Sequence, residues 1–275
     1  MRITLCIALY ITTALIHASS HTHFRGFVTD TSGKRIPYAT ISVPARHAGS
    51  LADSTGRFDF RLTGISSSDT VMVSSIGYIP VHLTVTNLRS MGDSATISLQ
   101  ANPHSLQSVE VTAPKVKAKT FGRTGMGGFF EVQVGSGHPE GTGIGVRCKV
   151  GKRAWIKSVS MGWIQRENSV ERMPFRLNIY NKKNGEWTNV SEREIIFTYR
   201  KEELDDNGRF TYTLPEPLMI TGDTMVEFEF LEPFHGRVID IKSTVMAGCF
   251  NFHSFGKWES IPTAGSFAVH ALVEK

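Results

Sequence analysis

The chain has 275 residues, enough for two domains of ordinary size, and a net charge of +5. Most of that excess sits in one stretch holding Lys115, Lys117, Lys119 and Arg123, with bases and acids nearly balanced on either side. The charge totals therefore give no support to a basic domain face for nucleic acid. Residues 1–20 read as a signal peptide: Arg2 supplies the positive start, Ile3 to Ile16 is an apolar run too short to span a bilayer, and Ala18-Ser19-Ser20 offers small residues for cleavage. No later segment is apolar enough for a transmembrane helix, so the mature chain is expected to be exported and free of membrane spans. Cys6 leaves with the signal, and no Cys/His spacing for zinc remains. Export permits a Cys148–Cys249 disulfide, with two buried free thiols the plainer reading.

Residues 21–113 carry short strands and turns in a fixed order. Gly26-x-Val28-x-Asp30-x-x-Gly33-x-x-Ile36-Pro37-x-Ala39-x-Ile41-x-Val43 is followed by Asp53-x-x-Gly56-x-Phe58 and Ser75-Ile76-Gly77-Tyr78. Ala39 to Val43 alternates with period two, as a half-buried strand does. Asp30 to Gly33 and Asp53 to Gly56 are turns, because Asp can bond its own backbone and Gly accepts a positive φ. Val71–Ser74 and Thr96–Leu99 read as further strands. This ordered set resembles the carboxypeptidase-regulatory-like domain, a transthyretin-like seven-stranded sandwich common in Bacteroidetes envelope proteins. The resemblance runs from Phe24 to about Leu99. A tail, Leu106-x-x-Val109-x-Val111, resembles the segment after this domain in outer-membrane TonB-dependent receptors. The resemblance implies fold and envelope location and no peptidase activity, since the domain is an accessory even beside a peptidase.

Residues 114–128, basic and glycine-containing, read as a linker extended by self-repulsion, with attraction to an anionic partner or membrane surface as the sharper alternative. Residues 129–275 read as a second β-rich domain, a jelly-roll-like sandwich. Its strands are expected at Phe129–Val134, Trp155–Met161, Phe175–Tyr180, Ile195–Tyr199, Phe210–Leu214, Met225–Phe230 and Phe267–Ala271, with at most a helical turn at Lys201–Asp206. The pattern around Pro174–Tyr180, Ile195-Ile196 and Val226–Phe230 resembles the C-terminal regions that accompany this accessory domain in other Bacteroidetes proteins, and implies no activity.

Candidate chemistry is sparse. His138-Pro139-Glu140 in a Gly-rich loop could bind a metal or shuttle a proton, but reads better as a polar loop. Glu227 and Glu229 share one strand face at about 7 Å, a glycosidase-like spacing that is more often a solvated face. His21-Thr22-His23 would begin the mature chain, and a free amine with a third-position His can chelate Cu(II) or Ni(II); a disordered terminus is the plainer reading. Nucleophile-elbow, Walker and dinucleotide motifs are absent from the sequence. No cofactor, metal site or catalytic residue is assigned. All four tryptophans lie in the second domain. Trp155 and Trp163 read as core, while Trp187 and Trp258 read as loop residues, after Asn184-Gly185-Glu186 and Phe255-Gly256-Lys257. Arg176, Asn178, Tyr180, Trp187 and Trp258 are the expected ligand-binding face, with an envelope protein or a glycan as partner. The sequence thus predicts a non-catalytic, exported, all-β interaction or assembly module. Its alternatives are a glycan-binding accessory and, last, a cryptic hydrolase in which His138, Glu140, Glu227 or Glu229 converge.

Overall fold

The structure, a computed structural model, describes residues 22–102, 115–125, 130–135 and 140–275. The expected signal peptide, His21, His138 and the receptor-like tail lie outside the described residues. Among these residues no helix is long and apolar enough to cross a membrane.

The first sandwich is two four-stranded sheets. One has the order β4-β1-β8-β6, from Thr22–Asp30 (β1), Arg57–Leu62 (β4), Tyr78–Ile79 (β6) and Ala95–Ala101 (β8). The other runs β3-β2-β5-β7, from Thr40–Val43 (β2), Ala48–Leu51 (β3), Thr70–Ser74 (β5) and Val81–Thr84 (β7). The strand β4 alternates exposed and buried along Arg57–Leu62, so Phe58 and Phe60 face inward. They meet Phe24, Val28, Ile41, Val71, Val73, Ile97 and Leu99 in a single core. The two Asp–Gly turns work alike. Asp30 Oδ1 accepts from the Ser32 and Lys34 N–H groups at 2.8 and 2.9 Å. Asp53 Oδ1 accepts from those of Thr55 and Arg57 at 2.8 and 3.0 Å. A short helix unanticipated from sequence, Val85–Ser90 (α1), starts where Thr84 accepts from the Asn87 N–H and buries Val85 and Leu88.

The second sandwich is one curled ten-stranded sheet. Its spine is a long antiparallel pair, Thr142–Gly162 (β11) and Arg209–Phe230 (β15). The separate strands expected at Phe210–Leu214 and Met225–Phe230 are the two ends of β15. Register shifts at Val150/Arg153 and Ile156/Ser158 bend the pair, as bulges do. Different neighbours therefore flank its two ends. Around Thr142–Gly145 and Met225–Phe230 lie Arg172–Lys183 (β12) and Ile239–Ser254 (β16). Outside these are Glu186–Asn189 (β13), Ile196–Arg200 (β14), Lys257–Gly265 (β17) and Phe130–Val134 (β10). Around Ala154–Met161 lies Phe267–Glu274 (β18). The fold of the sheet onto itself encloses a second core containing Phe175, Leu177, Phe197, Tyr199, Phe210, Phe228 and Phe267.

The linker expectation is corrected here. Val116–Gly122 is a strand (β9), antiparallel to β18 along its length. Phe121 enters the core, and the Lys119 ammonium lies 4.4 Å from its ring centroid. The charge that suggested an extended tether instead marks an exposed sheet edge, where lysines discourage pairing with another chain.

Candidate functional site

The outer face of the second sandwich beside the first holds the best-connected polar cluster among the described residues. Each member is fixed by strand register. Arg176 stands opposite Glu229 and Asn178 opposite Glu227 on β12 and β15. On the other flank of β15, Gly143 and Gly145 of β11 stand opposite Glu229 and Glu227, and His253 of β16 faces Gly143. Glycines leave space where side chains from both flanks must pass: a Cβ on Gly143 would lie 2.5 Å from Glu227 Oε1.

Arg176 donates from Nε and Nη2 to Glu229 at 2.7 and 3.0 Å. The same guanidinium crosses to the first sandwich, donating to the Tyr38 carbonyl at 2.8 Å and to Thr40 Oγ1 at 3.3 Å. Tyr38 holds a left-handed φ of 53°, a strained conformation for a non-glycine residue. Asn178 Nδ2 donates to Glu227 at 2.9 Å and to Glu229 at 2.6 Å. His253 Nδ1 lies 2.6 Å from Glu227 Oε1, and its Nε2 accepts from the Gly256 N–H at 2.9 Å. A proton on Nδ1 and none on Nε2 satisfies both contacts. Burial lowers and the Glu227 carboxylate raises the proton affinity of this imidazole, the carboxylate prevailing. A second proton would nonetheless land on Nε2, where the Gly256 N–H already points, and would cost that bond.

Burial and charge set the remaining protonation states. Burial opposes the Arg176 cation, but Glu229 outweighs it and keeps the guanidinium charged. Burial pushes the Glu227 carboxyl up; His253, Asn178 and Tyr180 together hold it below its ordinary value of 4.5. Burial, and then the Glu227 carboxylate, hold the Tyr180 phenol protonated. A carboxyl depressed on folding contributes stability above its unfolded value and loses it as pH falls through the folded one. Melting temperatures of the wild type are therefore expected to fall more steeply than those of Glu227→Gln below about pH 4.5. Parallel acid limbs in thermal melts of the two proteins would remove Glu227 as the cause.

All five residues expected to form a binding face lie on this one face, but not all are exposed. Arg176, Asn178 and Tyr180 are 3%, 3% and 8% exposed. They are corrected from ligand-facing to buried: period-two alternation identifies their face, and the first sandwich contributes to covering it. Glu227 and Glu229, expected on a solvated face, are 0% and 4% exposed. Trp187 and Trp258 stay half-buried and meet, with ring centroids 6.3 Å apart. Both lie on strands, β13 and β17, not in loops, because the chain turns at Asn184-Gly185 and Phe255-Gly256 just before them. Trp258 stacks on His253 at 4.6 Å and meets Tyr180 edge-on at 5.2 Å. A Cβ on Gly145 would come within 2.5 Å of the Trp258 ring. Trp163 is core as expected, whereas Trp155 is half-exposed with Arg153 over its ring.

The other candidates disperse. Glu140 accepts from Ser50 Oγ at 2.9 Å, a second polar contact between the sandwiches, beside a cleft of about 350 Å³ lined by Tyr38, Asp53 and Glu232. It does not join Glu227 and Glu229. His23 is held by Asp59 at 2.6 Å. Cys148 is a free, buried thiol with its pKa pushed up by burial, and the Cys249 side chain lies outside the described residues. No group of three or more metal-ligating side chains occurs among the described residues. His253 and its bonds to Glu227 and Gly256 were not anticipated from sequence; the matched alternation of Arg176/Asn178 with Glu227/Glu229 was the available signal.

No curated protein matches the chain. Among solved structures, one titled "Structure of infectious bursal disease virus Gt strain" aligns with 93% of this chain at 11% identity and a TM-score of 0.22. The chain spans 64% of that protein's length, and so weak a likeness carries no argument. The match that agrees with the geometry is to a family model: residues 24–111, which include the whole first sandwich from Phe24 onward, match the CarboxypepD_reg-like domain.

Proposed function

We propose that this protein is a non-catalytic, exported interaction or assembly module of the cell envelope, acting as one body made of two joined sandwiches. The observation that carries the reading is the state of the ionisable cluster. Glu229 is paired with Arg176, Glu227 is engaged by His253 and Asn178, and both carboxylates are sealed from solvent. Groups so engaged serve structure, with Arg176 reaching the first sandwich; a hydrolase needs them open to substrate. What remains accessible is suited to equilibrium binding: sheet edges, which can add a partner strand, and the Trp187–Trp258 pair. A CarboxypepD_reg-like domain, ordinarily an accessory sandwich, fits this role as spacer and dock.

The test is cross-linking in intact cells followed by fractionation and mass spectrometry. The protein is expected in the envelope fraction, with cross-links to a recurrent partner mapping to exposed lysines. Hydrolytic turnover abolished by Glu227→Gln, or recovery of the mature protein in the cytosol alone, would overturn it.

A further inference from the structure

The Trp187–Trp258 pair carries a charge that narrows its partner. The Arg147 guanidinium carbon lies 5.8 Å and the Lys182 ammonium 5.6 Å from the Trp187 ring centroid. Lys149 stands opposite Asp223 in the β11–β15 register. Asp223 is the acid of this group: Arg147 bonds it through Nε at 2.7 Å, and Arg147, Lys149 and Lys182 all hold its carboxyl below the ordinary range despite partial burial. Three cations thus surround one carboxylate. Lys149 and Lys182 are exposed and make no ion pair with a carboxylate among the described residues. The patch is aromatic and net positive.

One of the two rings is also held in place. Trp258 is set between His253 and Tyr180 over Gly145, so little side-chain freedom is left to lose on binding. The half-exposed indoles, inclined 54° to each other, each offer an apolar surface for the C–H faces of pyranose rings. Exposed ammonium groups beside them complement carboxylates carried on those rings. From this combination we infer that the Trp187–Trp258 face binds an acidic polysaccharide, the rings stacking on the sugar and Lys149 and Lys182 meeting its carboxylates. This inference rests on the interaction-module reading and gives that surface a partner class.

The test is affinity electrophoresis and calorimetry of the full mature protein with polygalacturonate, with dextran as the neutral polymer and polyglutamate as the acidic non-sugar. Binding to polygalacturonate alone is expected, weakening with added salt. Trp187→Ala should weaken it at least about tenfold, and Lys149→Glu with Lys182→Glu should abolish it. An unchanged melting temperature in each variant shows that the loss is local. Equal binding of polyglutamate would reduce the site to charge alone. Equal binding of dextran would remove the role of the lysines. Unaltered affinity in Trp187→Ala, or no binding to polygalacturonate, would overturn the inference. A recurrent envelope partner cross-linked at Lys149 or Lys182 in that case leaves the module reading standing.

Discussion

Arg176→Ala is expected to destabilise the protein by about 3–5 kcal/mol, because it leaves the Glu229 carboxylate buried without its counter-charge. The substitution also takes donors from the Tyr38 carbonyl and Thr40 hydroxyl of the first sandwich. Two effects should therefore appear together in urea denaturation. The overall midpoint should fall, and a transition in which the sandwiches unfold as one should begin to separate into two, the Ser50–Glu140 hydrogen bond remaining as a weaker tie between them. The double variant Arg176→Met/Glu229→Leu separates charge from docking. Replacing both partners of a buried pair with apolar groups is frequently near neutral. It should regain most of the lost stability of the second sandwich while the split transition persists, since the cross-domain donors stay absent. A single, unshifted transition in Arg176→Ala would show that the guanidinium does not join the domains. The Asn178 donors matter to this outcome: with Glu229 still accepting from Asn178 at 2.6 Å, the cost should fall within the range for a broken pair and not beyond it.

Why these residues looked like a binding face from sequence is itself informative. Period two in Phe175–Tyr180 assigns Phe175, Leu177 and Ile179 to the core and Arg176, Asn178 and Tyr180 to the opposite face, and the structure has both sets on those faces. The pattern says which residues share a face; it is silent on what covers that face. Here a second domain, remote in sequence, reaches Arg176 through Tyr38 and Thr40. The first sandwich was more legible because its signals are local. Each Asp–Gly turn bonds within four residues, and each strand alternates against one core. β9 was hidden for the opposite reason. Its lysines resemble a solvated tether, and only pairing with β18, some 150 residues away, gives the segment its structure. The tryptophans fall between these cases. Their nearness to turns was readable, whereas their meeting across the sheet depends on the small Gly145 beneath Trp258.

Gly26→Ala is expected to cost more than about 4 kcal/mol, at the diagnostic end of single substitutions. In the parallel pairing of β1 with β8, Gly26 stands against Ala95, and an added Cβ would lie 2.0 Å from the Ala95 carbonyl oxygen and 2.8 Å from the Phe58 ring. The first of these atoms belongs to a backbone that cannot move without breaking the β1–β8 ladder, and the second to a fully buried side chain. Gly33 provides the control within the same sequence motif. Its φ is +85° and a Cβ there would meet nothing within 4 Å, so Gly33→Ala should cost only the left-handed backbone penalty, about 1–2 kcal/mol. Thermal and urea unfolding of the two variants should therefore differ sharply, although each replaces one glycine by one alanine. Equal costs would mean that β1 and β8 do not approach as closely as described. A large effect at Gly26 alone would identify close strand packing, not turn geometry, as the reason the first sandwich requires glycine at that position.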